Sequence, residues 1–296
     1  MIYIITNCTN GKKLLPNDLT LFRNYNDYDI EYISNKWINN LESNSNKCKA
    51  KDLYKGVGWK AILESQENFK SLNETRLLIS SAGYGLIDST KLISSYGITF
   101  SKKHQDSVEK YFSNKLWWDN IYKENINIID VEAIFICVSK EYLLVMSEFL
   151  DELIQRYGKR IFFININGNK EKIPKYQEYS LFFDKKYNSF EPGTLLSLRQ
   201  RILRWLSKEI VKEKLSFNHS ILQNYINKYF KYYEIEPLKK GIQLDDEEIK
   251  NKIREMITLE KINSATKGLV FFRKNGFSCE QKRFQNLFKN IKEELL

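Results

Sequence analysis

Four short runs of apolar, largely β-branched residues, each ending in a polar or glycine-bearing loop, constrain this chain more than any other feature. They are MIYIIT (1–6), TRLLISSAGYG (75–85), VEAIFICVS (131–139) and KRIFFININGN (159–169). Runs of that length and composition read as buried strands. Between and after them lie helix-period segments: one in residues 52–69 after a glycine break, one in residues 141–158, and an amphipathic one beginning at Pro192-Gly193. In the last, Leu196, Ile202, Leu203 and Leu206 are expected inward and Arg199, Arg201, Arg204 and Lys208 partly outward. Residues 26–48 read as a polar, Asn/Ser-rich stretch. Strands alternating with helices predict an α/β fold with a mainly parallel sheet and flanking helices.

Beyond about residue 214 the pattern changes. Residues 217–236 and 244–263 are helical in period, and the chain closes as two basic helices broken at Asn275-Gly276. The expected division is an α/β domain over residues 1–212 and a smaller helical, basic domain over residues 213–296.

The formal net charge of +10 favours an anionic partner, nucleic acid being the commonest. Lysine here keeps company with abundant Asn and Ile, a bias AT-rich coding also produces, so the distribution of charge says more than its total. From Lys267 to Lys292 there are seven basic residues against one acid, Glu280, while residues 245–248 are wholly acidic. Four cysteines (8, 48, 137, 279) without a C-x-x-C pair, and two histidines (104, 219), give no ordinary zinc spacing, so neither metal nor cofactor is expected. The amino-terminal run is short and lacks a basic front, and no run reaches the ~18 apolar residues of a membrane span. The expectation is a cytoplasmic protein with reduced thiols and no membrane association.

Ligands of parallel sheets sit beyond the carboxyl ends of the strands. The loops NCTNGKK (7–13), SAGYGLID (81–88), SKEY (139–142) and NINGN (165–169) are therefore expected along one edge. Three of the twelve glycines, Gly83, Gly85 and Gly97, fall in one short stretch. Glycine lets a backbone approach something closely, which here is either a sugar-phosphate or base, or simply a tight turn.

Several segments occur in an order that carries a resemblance: ITNCTNGKK (5–13), DLYKGVGWK (52–60), LISSAGYGLI (78–87), SYGITFSKKHQDSV (95–108), the Ser139/Tyr142 loop and PGTLLSLRQR (192–201). The chain resembles a bacterial family distantly related to the YaaA stress protein and, more loosely, the uracil-DNA-glycosylase and tRNA-guanine-transglycosylase-associated folds. Anti-phage DNA glycosylases of the Brig type belong to the same neighbourhood. The resemblance implies an enzyme that flips a modified base of phage DNA, a hypermodified cytosine, and excises it to leave an abasic site. Base exchange or deoxyribosyl transfer is an alternative, and a non-catalytic DNA-binding stress protein is another.

Cleavage of an N-glycosidic bond needs a carboxylate beside an oxocarbenium-like sugar. Asp106, in the matching TFSKKHQDSV segment, is the first candidate and Asp88 the second; a helix N-cap is the competing role for Asp106. Asn7, Thr9 and Asn10 suit a base edge or phosphate, or an Asx-turn. A flipped base needs aromatic surfaces. Tyr54, Tyr84, Tyr96 and Phe100, with Gly83, Gly85, Ser139 and Tyr142, make up the remaining base- and sugar-binding set, with Tyr84 the first choice for base contact. Lys12 and Lys13 suit phosphate steering, and an amine near C1′ also suits a Schiff base. Cys8 reads as a small buried cysteine. Arg199, Arg201, Arg273, Lys274, Lys282 and Arg283 are expected to face DNA phosphates, a solvated basic face being the plain alternative.

Overall fold

A computed structural model describes residues 1–122, 126–166, 174–184, 187–188, 190, 193–231 and 241–295. The chain divides into two units, Met1–Ile235 and Glu236–Leu296.

The first unit is α/β. Its strands are β1 (Ile2–Asn7), β2 (Lys47–Lys49), β3 (Thr75–Ser81), β4 (Gly85–Asp88), β5 (Leu92–Ser94), β6 (Ala133–Cys137), β7 (Ile161–Ile166) and β8 (Ser180–Phe183). Six of these form one sheet in the order β4-β3-β1-β6-β7-β8, parallel except for the β3–β4 hairpin. The short β2 and β5 make a separate antiparallel pair. β6 is buried along its whole length, as expected of a parallel strand covered on both faces.

The main helices of this unit are α1 (Ile30–Ser43), α2 (Ala50–Leu53), α3 (Val57–Lys70), α4 (Asn114–Ile121), α5 (Lys140–Val145), α6 (Ser147–Tyr157), α7 (Leu198–Glu213) and α8 (His219–Lys231). α3 starts after Gly56, whose φ of 118° is a conformation side chains disfavour. α3 and α7 run side by side: Glu64 bonds Arg204 and Asn68 bonds Ser207. Phe69 of α3 stacks on Phe135 of β6 at 4.8 Å, tying that layer to the sheet.

The expected α/β architecture with C-terminal helices is the observed one, with differences in detail. The hairpin strand β4 and the edge strand β8 lie outside the four expected strands. Residues 26–48 contain a full helix, α1, which buries Ile33, Trp37 and Leu41 at four-residue spacing and is capped by Asp29. The single helix expected over residues 141–158 is two, separated at Met146. Helix α8 packs against β8 and belongs to the first unit, so the division falls at residues 235/236 rather than 212/213. Leu196, expected inward, is exposed, and Arg201, expected partly outward, is buried.

The second unit has its own core. Helices α9 (Asp246–Thr258), α10 (Ala265–Lys274) and α11 (Gln281–Glu294) bury Ile253, Phe272, Phe284 and Phe288 together. The acidic run at 245–248 has a local cause: Asp245 and Glu248 form a capping box, and the acids sit at the positive end of α9. Among the described residues no helix is long and apolar enough to cross a membrane.

Candidate functional site

β1 lies between β3, to which the chain goes first, and β6, to which it returns on the other side, so the carboxyl end of β1 is a topological switch point. Cys8, immediately after β1, and Tyr142, in the first turn of α5 after β6, meet there with Sγ and hydroxyl 3.2 Å apart. Asn7 accepts a hydrogen bond from the Ser139 backbone at 3.1 Å, locking the two loops together. The loops after β1 and β6 therefore converge as expected. Residues 167–169 of the loop after β7 lie outside the described residues.

A second group joins from β3 and the 95–108 segment. The hydroxyls of Tyr54 and Tyr96 are 2.8 Å apart, and Tyr96 is 2.7 Å from Ser81 Oγ at the end of β3. Ser81 in turn accepts the backbone N–H groups of Gly83 and Tyr84. Burial pushes the phenols of Tyr54, Tyr96 and Tyr142 well above their ordinary value, which keeps them as protonated donors. Phe100 packs its ring 5.0 Å from that of Tyr142.

Lys12 lies at the centre. Its Nζ sits 4.1 Å from the Tyr96 ring centroid and 5.9 Å from that of Tyr54, and donates to the Thr9 carbonyl at 3.3 Å. Its remaining donors have no partner among the described residues. Burial lowers the amine below the ordinary lysine value, opposed by the nearby Cys8 and Asp106. A largely desolvated amine of lowered basicity is a reactive one.

Asp106 is buried and held on one side only. Its Oδ1 accepts the Arg23 backbone N–H at 3.0 Å and meets Arg23 Nε at 3.0 Å. Oδ2 accepts no hydrogen bond among the described residues; His104 Nδ1 is 3.8 Å away. Asp106 is not a helix cap: Ser107 caps the short 3-10 turn that follows.

The glycines serve this arrangement. A Cβ on Gly83 would stand 2.8 Å from the Tyr96 ring, and one on Gly97 would stand 2.7 Å from Leu21 and 3.2 Å from Asp106 Oδ2. Gly85 adopts φ +72° where β4 begins. They let the hairpin and the 95–108 segment close around the tyrosines, so the close approach is to protein rather than to a ligand.

Other expected site residues sit elsewhere or are occupied. Asp88 pairs with Arg76 at 2.8 Å and Thr90 on the edge strand, opposite Leu78, about 10 Å back from the end of β3, and is no part of the site. Tyr84 is turned inward: its hydroxyl bonds Ser94 Oγ at 2.8 Å and accepts Ser94 N–H at 2.9 Å, and burial pushes its pKa up to about 12. It is therefore not an exposed base platform. Tyr54, Tyr96, Phe100 and Tyr142 are likewise buried. Thr9 Oγ1 bonds the Gly11 and Lys55 carbonyls, whereas Asn10 and Lys13 are exposed.

Of the expected phosphate contacts, Arg201 is buried and holds Thr194 and Ser197. Arg283 pairs with Asp246 at 2.7 Å, and Arg273 donates to the Cys279 carbonyl. Arg199 is half-buried in α7, and Lys274 and Lys282 are exposed. The sequence reading missed Arg23 and Ser81, and placed Lys12 with Lys13 as a phosphate-steering lysine, with a Schiff base as its further role, without its burial. Among the described residues no cluster of His, Cys, Asp and Glu is placed to hold a metal.

These features define an α/β protein with a buried amine, a one-sided carboxylate and a tyrosine–serine chain at its switch point. No family model matches the chain, and no curated protein matches it.

Proposed function

We propose that the protein is a DNA glycosylase that excises a modified base, a hypermodified cytosine of phage DNA, with Lys12 as nucleophile and Asp106 as its proton acceptor. The observation that carries this reading is the Lys12 amine, desolvated, lowered in basicity, bonded to a single carbonyl and within electrostatic reach of the Asp106 carboxylate, whose Oδ2 accepts no hydrogen bond among the described residues. The net charge of +10 and the ordered family-like segments point the same way.

In this reaction the neutral amine adds to the sugar C1′ as the C1′–N bond breaks, and the base leaves with that bonding pair. One amine proton passes by way of Asp106 Oδ2 to the departing base. The other goes to O4′ as the C1′–O4′ bond opens, leaving an imine between Lys12 and the sugar. Water then hydrolyses the imine, restoring the amine and releasing an abasic aldehyde. The protonated tyrosines and the Asp106–Arg23 pair hold the amine and carboxylate in position.

The test is incubation with unmodified DNA and with phage DNA containing hypermodified cytosines, in the presence of borohydride, followed by mass spectrometry of released base and of trapped protein–DNA adduct. Released base with an adduct at Lys12 supports the proposal. Released base without an adduct gives the chemistry to water activated by Asp106, and labelled base entering DNA without abasic sites gives it to base exchange. No release from either DNA, with DNA binding intact, supports a second reading: a DNA-binding protein without chemistry, favoured by the engagement of Asp106 with Arg23.

A further inference from the structure

The expected phosphate contacts were spread over α7 and the second unit, yet several of those arginines are already engaged within the protein. A different set of cations lies on the segments that build the Lys12 site. Lys13 follows it directly. Lys55 lies against Gly11, and its carbonyl accepts Thr9 Oγ1 at 3.1 Å. Lys140 opens α5 next to Ser139, whose N–H is held by Asn7. Lys103 stands in the 95–108 segment between Phe100, which packs on Tyr142, and Asp106.

All four side chains are exposed and have no ion-pair partner among the described residues. Of the acids close to them in sequence, Asp106 pairs with Arg23 and Glu109 with Lys102, while Glu141, bonded by Ser139 Oγ, and Asp52 are exposed without an ion-pair partner among the described residues. Unpaired ammonium groups on three loops and the start of α5, all segments that adjoin the Lys12 site, match a ligand with several anions spaced along it. A free nucleoside offers no such charge.

We infer that Lys13, Lys55, Lys103 and Lys140 form a phosphate-binding rim, and that the substrate is a nucleotide within a polynucleotide strand rather than a free nucleoside. This rests on the glycosylase reading for the chemistry, but the rim itself is read out by binding alone. The probe is an unmodified duplex oligonucleotide, titrated by fluorescence anisotropy over a series of salt concentrations. Replacing all four lysines by glutamine should lower the magnitude of the slope of log affinity against log salt by about 3.6, at roughly 0.9 per phosphate contact. Replacing Lys208, Lys214 and Lys228, exposed on and after α7 and on α8, should leave the slope unchanged. An unchanged slope in the rim variant, with its thermal melt intact, overturns the inference, as does an equal loss in the control variant. A wild-type slope that falls as expected, with no base released from any DNA, retains the rim and removes the chemistry. Base release from DNA that survives loss of the rim does the reverse.

Discussion

The Lys12 ammonium nitrogen lies 4.1 Å from the centroid of the Tyr96 ring, and the Tyr96 hydroxyl is 2.7 Å from Ser81 at the end of β3. The ring face attracts a cation, while burial disfavours one. Burial wins, because the basicity of Lys12 is lowered and not raised.

The pH dependence of both stability and activity follows from that sign. Between the lowered native pKa and the ordinary lysine value the unfolded chain binds more protons at this site, so stability rises with pH across that window and the penalty is gone above it. Lys12→Met should abolish that rise when its urea denaturation is compared with wild type at a series of alkaline pH values. Base release should climb as pH rises through the lowered native pKa, at the lower edge of that window, and level off below the ordinary lysine value. Lys12→Arg, charged at every pH, should release no base.

Asp106→Asn separates a structural from a chemical role. The amide keeps an oxygen for the Arg23 backbone but loses the ion pair, and Arg23 is about one-third exposed, so water compensates in part. The expected loss is about 1 kcal/mol in chemical denaturation. Base release should fall by a factor of 100 or more, on the order of general-base contributions elsewhere, with duplex binding unchanged. Arg23→Gln should cost similar stability and much less activity. Equal activity losses in the two variants would show that the pair only holds the segment in place.

Tyr84→Phe removes a hydroxyl that exchanges hydrogen bonds with Ser94 Oγ and Ser94 N–H. A loss of about 1–2 kcal/mol is expected from the orphaned partners, measured by urea denaturation. DNA affinity should not change. A loss of affinity with full stability would return Tyr84 to the base-contact role.

Gly83→Ala forces a methyl to within 2.8 Å of the Tyr96 ring in a fully buried setting. Overpacking of this kind costs about 1–3 kcal/mol, visible as a lower midpoint in urea. Because Tyr96 would have to move, the pH profile assigned to Lys12 should shift as well. A destabilised variant with the wild-type profile would uncouple that ring from the amine.

The strands were legible because β1, β3, β6 and β7 are nearly continuous apolar runs, the signature of parallel strands buried on both faces. Helix α1 was not, because its buried stripe is only Ile33, Trp37 and Leu41 in a sequence otherwise full of Asn and Ser. The Asp29 cap followed by that four-residue spacing was the available signal. At the site, the convergence of Asn7 with Ser139 and of Cys8 with Tyr142 followed from the sheet rule. The inward turn of Tyr84 did not, because a tyrosine between glycines reads the same whether its partner, Ser94, is near or far. Burial likewise separates Lys12 from the exposed Lys13, and neighbouring letters in a sequence carry no record of it.

The order in which the sheet can assemble has a cost during synthesis. β1 leaves the ribosome before both of its neighbours, β3, from Thr75, and β6, from Ala133. Nascent chains therefore carry Ile2–Asn7 with both edges open until Ser81 has emerged, and with one edge open until Cys137 has. An apolar strand with an open edge is a template for association with other chains. Premature termination anywhere before β6 would leave that template in place, so truncated products should collect in inclusion bodies while the full chain does not.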